Sequence, residues 1–373
     1  MLARKERAPN GVRSFFVPLE QIQPHMKKHY LLIIFSFIAI LAGCGPDSES
    51  WRRDFTQWNA CPALSALTEY VQDVTDPKSP NFIATEDRIA TFDMDGTFVG
   101  ELFPTYFEYN MLEYRGLDDP TYEAPEEVRA AAQSIRDFVR EGKALPDHFE
   151  LIHARAAAKA YAGMTLAEFD AYVKEYAKTP ANGFEGMSYG EGFYQPMLEV
   201  FKYLEKNDFT IYVISGSDRL ICRSLVSAFG FDPQRVIGMD VTLKTSLQGD
   251  AAGVDYTMGQ EEDLFRSDEL IIKNLKTNKV FQICQEIGKV PVLSFGNSAG
   301  DCAMHNYCLG SSRYRSAAFM LIADDEERDH ANREKALQLA EQWREAGYHV
   351  ISMRDDFKTI YGEGVKKVPF TFE

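Results

Sequence analysis

The chain has 373 residues, 45% hydrophobic and 26% charged, the composition of an ordinary globular protein rather than a disordered one. Its 56 acidic residues outnumber 40 basic ones, a formal net charge of -16, which repels nucleic-acid backbones and excludes DNA or RNA as an expected partner. A small anionic substrate is not excluded, because a metal ion and one or two lysines invert the field locally.

In chain order, Met26-Lys27-Lys28 precedes an apolar run over 31–41, followed by the small residues Ala42-Gly43 and then Cys44. A basic start, a short apolar core and a small-residue cut site mark a secretory signal, and the run is short for a spanning helix. The Leu41-Ala42-Gly43-Cys44 ending resembles the lipobox of bacterial lipoproteins. That resemblance implies cleavage before Cys44, a lipid on its thiol, and a protein anchored to membrane in the periplasm of the bacterial cell envelope. A plain membrane anchor or an uncleaved signal is the alternative. Residues 1–25 carry basic residues without an apolar core, so Met26 is read as the true start and 45–50 as a short tether. Cys61, Cys222, Cys284, Cys302 and Cys308 form no CxxC pairs, which argues against a disulfide framework or zinc site; most read as small buried hydrophobes.

Helical spacing over 63–71 gives a lead-in helix, broken by Asp76-Pro77 and Ser79-Pro80 before a first strand, Ile89-Ala90-Thr91-Phe92. Helices are expected over 102–114, 125–141, 149–161 and 166–177, an insertion placed to act as a lid. Its aromatic residues Tyr106, Phe107, Tyr109, Tyr114 and Tyr122 read as the lid's own core before they read as a substrate pocket. A helix over 196–204 leads to a strand over 209–214, another strand covers 236–241, and a polar, Gly-rich stretch to 263 includes a hairpin. A short helix over 280–287, a strand over 291–295, strands over 318–322 and 350–352, and a helix over 332–346 complete the chain. Strand alternating with helix predicts an α/β fold, a Rossmann-like parallel sheet core with a helical cap inserted after the first strand. The divisions are a leader over 1–44, tether and lead-in over 45–88, core over 89–97 and 207–373, and cap over 98–206.

Each core strand stops in a polar cluster. The first ends in Asp93-Met94-Asp95-Gly96-Thr97, whose two aspartates alternation points the same way; the second in Ser215-Gly216-Ser217-Asp218; the third in Gly296-Asn297-Ser298-Ala299-Gly300-Asp301. In a parallel sheet these ends share one edge, where ligands of open α/β sheets bind. Like-charged carboxylates that close need a cation or a shared proton, and such oxygen donors suit Mg²⁺ with phosphate. Lys279, at the start of the helix feeding the third strand, reaches the same edge; Lys273 and Lys276 compete for that role.

These elements in this order resemble the haloacid dehalogenase superfamily of phosphohydrolases. The likeness covers about residues 90–301 by motif and extends loosely to 357–360, in a phosphoserine-phosphatase-like branch. The resemblance implies Asp93 as nucleophile and Mg²⁺ ligand, and Asp95 as acid and base whose carbonyl also ligates the metal. It implies Ser215 and the Gly216 N–H as phosphoryl-binding donors, Lys279 as a charge stabiliser, Asn297 in the metal shell, and Asp301 as an anchor for Lys279 or a metal-bound water. Glu101 stands where related phosphatases place a substrate-facing lid carboxylate; ordinary exposure reads equally well. Asn297 departs from the aspartate more usual there, and the lost charge implies weaker Mg²⁺ binding. The function implied is Mg²⁺-dependent phosphomonoester hydrolysis of a small phosphorylated metabolite, phosphoserine-like or nonspecific. The alternatives are an inactive binding lipoprotein of the same fold and a phosphorylcholine phosphatase whose lid aromatics cage the ammonium group.

Overall fold

The computed structural model describes residues 54–310 and 313–372. The expected leader, the 45–50 tether and Cys44 lie outside the described residues. In chain order the elements are α1 (Pro62–Thr75), β1 (Ile89–Phe92), α2 (Phe107–Leu117), α3 (Glu126–Glu141), α4 (Phe149–Ala160), α5 (Leu166–Tyr176), β2 (Phe184–Glu185), α6 (Gln195–Lys206), β3 (Thr210–Asp218), α7 (Arg219–Val226) and β4 (Val236–Thr245). They continue as β5 (Leu264–Ile272), α8 (Thr277–Gln282), β6 (Leu293–Gly296), α9 (Cys302–Leu309), β7 (Ala317–Ile322), α10 (Arg333–Glu345), β8 (His349–Ser352), α11 (Met353–Asp356) and β9 (Lys366–Lys367).

A seven-stranded sheet in the order β5-β4-β3-β1-β6-β7-β8 forms the core, parallel throughout except at β5. The α/β class expected from the alternating pattern is the one observed. β1 is buried at every residue because it is flanked on both sides, Phe92 pairing with Val213 of β3 and with Phe295 of β6. The cross-strand rings stack on one another: Phe92 on Phe295 with centroids 4.2 Å apart, and Phe295 on Phe319 of β7 at 4.9 Å. Phe201 of α6 lies 4.4 Å from Phe92 and closes that face. This ladder makes the middle of the sheet stiff where its carboxyl edge carries polar groups. The Tyr70 hydroxyl of α1 donates to the carbonyls of Val292 and Arg315, fastening the lead-in helix beneath the sheet.

The helices α2 to α5 form the insertion between β1 and β3. Gly116 of α2 is needed for close approach, since a Cβ there would stand 2.6 Å from the Ala132 Cβ of α3. Within the expected cap range, which runs through 206, α6 lies against the sheet through Phe201, while β2 pairs antiparallel with β9 in a separate two-stranded sheet. Only part of the aromatic set is core: Phe107 and Tyr109 are buried, whereas Tyr106 and Tyr114 are 38% exposed.

Three further differences have physical causes. The hairpin arm after β4 is not inside the polar stretch but beyond it, as β5; that edge strand is exposed on both faces for much of its length and lacks core alternation. α8 begins at Thr277, so Lys279 falls within its first turn, and a single π turn follows over Ile283–Ile287. The five described cysteines are free, but only Cys222 and Cys308 are buried, while Cys284 is exposed and Cys61 caps α1 by accepting from the Leu64 N–H.

A buried ion pair ties two core strands together and meets the cap through one aromatic ring. Arg266 of β5, 1% exposed, donates to Asp218 Oδ2 at 2.7 Å, and its guanidinium lies 3.9 Å from the Phe169 ring centre of α5. Arg266→Met strands the Asp218 carboxylate in the interior, and we expect a loss of about 3–5 kcal/mol of unfolding free energy, read from urea denaturation. A loss below about 1 kcal/mol contradicts the reading of these two buried core charges as dependent on one another.

Candidate active site

The site is built from three neighbouring strand ends. Asp93 directly follows β1 and continues its ladder, donating its N–H to the Phe295 carbonyl at 2.9 Å. The chain then turns: Gly96 adopts φ +77 and donates to the Val99 carbonyl, and a Cβ there would fall 1.9 Å from Asn297 Nδ2. Only glycine meets both demands. Thr97 Oγ1, inside the turn, donates to Asp93 Oδ2 at 3.3 Å and lies 3.4 Å from Asn297 Oδ1.

Lys279 Nζ lies 2.5 Å from Asp93 Oδ1 and 2.7 Å from Asp301 Oδ1, with the lysine 1% exposed. The other Asp301 oxygen accepts from the N–H groups of Asn297 and Ser298 at 3.1 Å, so this carboxylate clamps the loop after β6 and holds the lysine. Asp95 Oδ2 accepts from Ser217 Oγ at 2.7 Å and lies 3.4 Å from Ser215 Oγ. Ser215 is fully buried; its Oγ takes the Ser217 N–H and its carbonyl the Asn274 side chain, while Gly216 and Ser217 face the cavity. Gly216 fits there because a Cβ would press to 2.5 Å on Leu275 Cδ2. Glu101 Oε1 accepts from Asn297 Nδ2 at 3.2 Å.

These groups border a cavity of about 350 Å³ that also receives Tyr106, Tyr109, Glu150, Lys273 and Lys276. Larger hollows of about 750 and 470 Å³ lie against β5 and within the cap, but neither receives the strand-end acids. The sequence-derived residues Asp93, Asp95, Glu101, Gly216, Lys279, Asn297 and Asp301 all border the smaller cavity, and Ser215 lies behind it. Of the competing lysines, Lys276 is exposed at the rim and Lys273 pairs with Glu108 at 3.0 Å.

The electrostatics follow from crowding. Burial first, and then the Asp301 charge, push Asp93 up to about 7 against the pull of Lys279. Burial raises Asp95 to about 6 although the Ser217 hydrogen bond opposes it. Burial, helped by Asp95 and Asp93, raises Glu101 to about 8. For Lys279, burial works against the charge, but Asp301 and Asp93 outweigh it and the pKa rises. Asp301 is resisted by burial too, yet Lys279 holds it below the usual carboxylate range. Asp93, Asp95, Glu101 and Asp301 thus crowd the strand ends, and burial and mutual repulsion raise the first three; a bound cation would favour their ionised forms. Among the described residues no three His, Cys, Asp or Glu side chains gather closely enough to hold an ion by themselves. The Asn297 amide oxygen, backbone carbonyls and substrate oxygens have to complete any shell. An all-oxygen set that is short of protein ligands fits Mg²⁺.

Ser217, Glu108 and His153 were not singled out from the sequence. Strand alternation offered a signal for Ser217, two residues beyond Ser215 and on the same side. Glu108 stands as the one acid in the run Phe107-Glu108-Tyr109-Asn110-Met111-Leu112, which a polar surface position would not require. His153 of α4 is wholly buried, its Nδ1 3.6 Å from Glu108 Oε1 and its ring on Tyr109, with Lys273 and Asp218 nearby. Burial lowers it to about 4 despite the neighbouring Glu108 charge. A histidine held neutral in the fold but free to protonate when unfolded costs stability as pH falls from about 6.5 to about 4. His153→Gln removes that term, so the variant should gain about 3 kcal/mol relative to wild type across this window. Denaturation curves that stay parallel from pH 7 to 4 contradict it.

No family model and no curated protein matches the chain. Solved structures similar to it include a conserved protein of unknown function from Anaerococcus prevotii, 14% identical, covering 82% of this chain and 97% of that one with a TM-score of 0.49. A phosphoserine phosphohydrolase-like protein from Francisella tularensis is 12% identical over 71% of this chain and 94% of its own, TM-score 0.38. A HAD family hydrolase from Salmonella enterica serovar Typhi is 15% identical over 80% and 79%, TM-score 0.40. Hydrolases of the haloacid dehalogenase type are therefore among the proteins to which the chain is similar, while the chemistry of its site stands on the side chains described above.

Proposed function

We propose that the protein is a Mg²⁺-dependent phosphomonoester hydrolase of the haloacid dehalogenase type, acting on a small phosphorylated metabolite. One observation carries the reading: Lys279 is held between Asp93 and Asp301 at the floor of a cavity into which Asp95 projects from the same turn. A nucleophile, a fixed positive charge and a separate acid on one strand edge are the parts that phosphoryl transfer to a carboxylate requires.

The Asp93 carboxylate attacks phosphorus, an acyl-phosphate bond forms and the P–O bond to the alcohol breaks. Asp95 gives its proton to the departing alkoxide, then takes one from the water that attacks phosphorus and releases phosphate and free Asp93. Lys279 offsets charge on the phosphoryl oxygens and keeps Asp93 oriented, while Ser217 holds the Asp95 carboxyl. Asp93, Asn297 and the Asp95 carbonyl would hold a Mg²⁺ ion, which would supply further positive charge to the phosphoryl group and relieve repulsion among the acids. Asp95 favours an ester over a carbon–halogen substrate, because halide leaves without a proton whereas an alkoxide needs one.

Within this class, the T-shaped pair of Tyr106 and Tyr109, centroids 5.2 Å apart and beside Glu101 and Glu150, supports a substrate carrying an ammonium group, phosphorylcholine or a phosphorylated amino acid. The signal-like run ending at Cys44 supports placing the enzyme on a lipid anchor in the periplasm.

With p-nitrophenyl phosphate, wild type should turn over only with Mg²⁺ present, losing activity on chelation and regaining it on readdition. Asp93→Asn should lower kcat about a thousandfold or more. Equal turnover by the two proteins eliminates Asp93 as nucleophile, and no turnover across a broad phosphoester panel favours a binding module instead.

A further inference from the structure

We infer that Glu108, carried by the first cap helix, is a positioning residue that fixes the Ser217–Asp218 peptide and thereby keeps the Ser217 hydroxyl on Asp95. The inference rests on the proposed ester hydrolysis and deepens it by tying the acid's alignment to the seating of the cap.

The backbone at the end of β3 needs such a hold. Pairing with β4 is regular at Val213 and Ile214, then shifts register before Asp218, so the ladder does not hold the Ser215–Ser217 turn. Gly238 of β4 makes room for the bulge, since a Cβ there would meet Ser217 O at 2.8 Å. In place of the ladder, Glu108 Oε2 accepts the Asp218 N–H at 3.0 Å. That N–H belongs to the peptide joining Ser217 to Asp218, one residue from the hydroxyl lying 2.7 Å from Asp95 Oδ2. The second Glu108 oxygen accepts from Lys273 Nζ at 3.0 Å, with both side chains almost wholly buried. A buried ion pair is a poor source of stability compared with apolar packing, and its better-attested use is to fix one arrangement among several. Here the pair spans α2 of the cap and the segment after β5, while the remaining carboxylate oxygen reaches the loop that holds the acid. Removing the hold allows the peptide to rotate and Ser217 to leave Asp95, so the acid's aim depends on where the cap sits.

The leaving group separates alignment of the acid from a general loss of structure. Nitrophenolate departs with little help from a proton, whereas an alkoxide depends on one, and a positioned acid contributes about 10²–10⁴-fold. Glu108→Asp keeps the charge beside Lys273 but withdraws the carboxylate from Asp218 by one methylene. Glu108→Gln loses the charge but keeps an oxygen at full reach. The rates are read as kcat/KM, which stops at departure of the leaving group and leaves out the later water attack that Asp95 also assists. With the full chain and saturating Mg²⁺, Glu108→Asp should lower the rate on glycerol 2-phosphate about tenfold or more while that on p-nitrophenyl phosphate stays within about threefold. Glu108→Gln should keep the ratio of the two rates near that of wild type, and Ser217→Ala should reproduce the selective loss. Equal falls on both esters, a Gln variant more selectively impaired than the Asp variant, or an unchanged ratio in Ser217→Ala overturns the inference whatever the fate of the other variants. Wild type inactive on both esters is a different failure, which removes the proposed hydrolysis and this inference with it.

Discussion

The rest of the site depends on one ammonium group between two carboxylates. Burial opposes the charge on Lys279, and the group stays charged because Asp301 and Asp93 together outweigh it. The two acids do not share it equally. Asp301 is also fed by two backbone N–H groups and is held as a carboxylate, whereas Asp93 remains raised to about 7 by burial and by Asp301 itself. The single ammonium group therefore leaves Asp93, the proposed nucleophile, only partly ionised. Such crowding can persist only on a stiff support, which the stacked Phe92, Phe295 and Phe319 of adjacent strands provide directly beneath it.

The cap is attached by the same currency. Glu108 of the cap pairs with Lys273 of the core, and the core pair Asp218–Arg266 is linked to it through the Asp218 N–H that Glu108 accepts. Apolar contact alone would let the insertion slide over the core, because it is nearly non-directional. Paired charges with defined partners allow one seat, at the expense of desolvation. The Asp95 carboxyl hangs from this seam through Ser217, so its placement and the docking of the cap are set by adjacent residues of β3.

Much of this was legible because the chemistry sits at consecutive positions after strands. Asp93 and Asp95 are two residues apart, and the β1 run before them is unmistakably buried; the β3 and β6 ends announce themselves in the same way. Parallel pairing then brings together residues that no local pattern connects. What escaped was information carried by tertiary pairing alone. β5 carries Arg266 inward but exposes most of its neighbours, so neither alternation nor a continuous apolar run marks it. Glu108 sits on a helix whose burial depends on Lys273, distant in sequence, and an isolated acid in a helical first turn reads equally as a favourable surface position. Ser215 stands out at a strand end by its likeness to the second family motif; past the register shift Ser217 also reaches the cavity and Asp95, which only the fold shows.

Asn297 shows why charge has to be counted over the site rather than position by position. On its own, an amide there removes one negative charge from any cation shell. In the fold, its Nδ2 donates to Glu101 at 3.2 Å and its Oδ1 lies 3.4 Å from the Thr97 hydroxyl that also bonds Asp93. An aspartate at 297 would set two carboxylates face to face with no donor between them, beside Asp93 and Asp95. The amide instead supplies the donor that Glu101 needs and still presents an oxygen on the side of Thr97 and Asp93. The carboxyl group absent at 297 stands one hydrogen bond away at Glu101, where burial and the neighbouring acids favour its protonated form. The cost falls on Gly96, which must stay without a side chain because Asn297 and Glu101 together fill the space a Cβ would occupy.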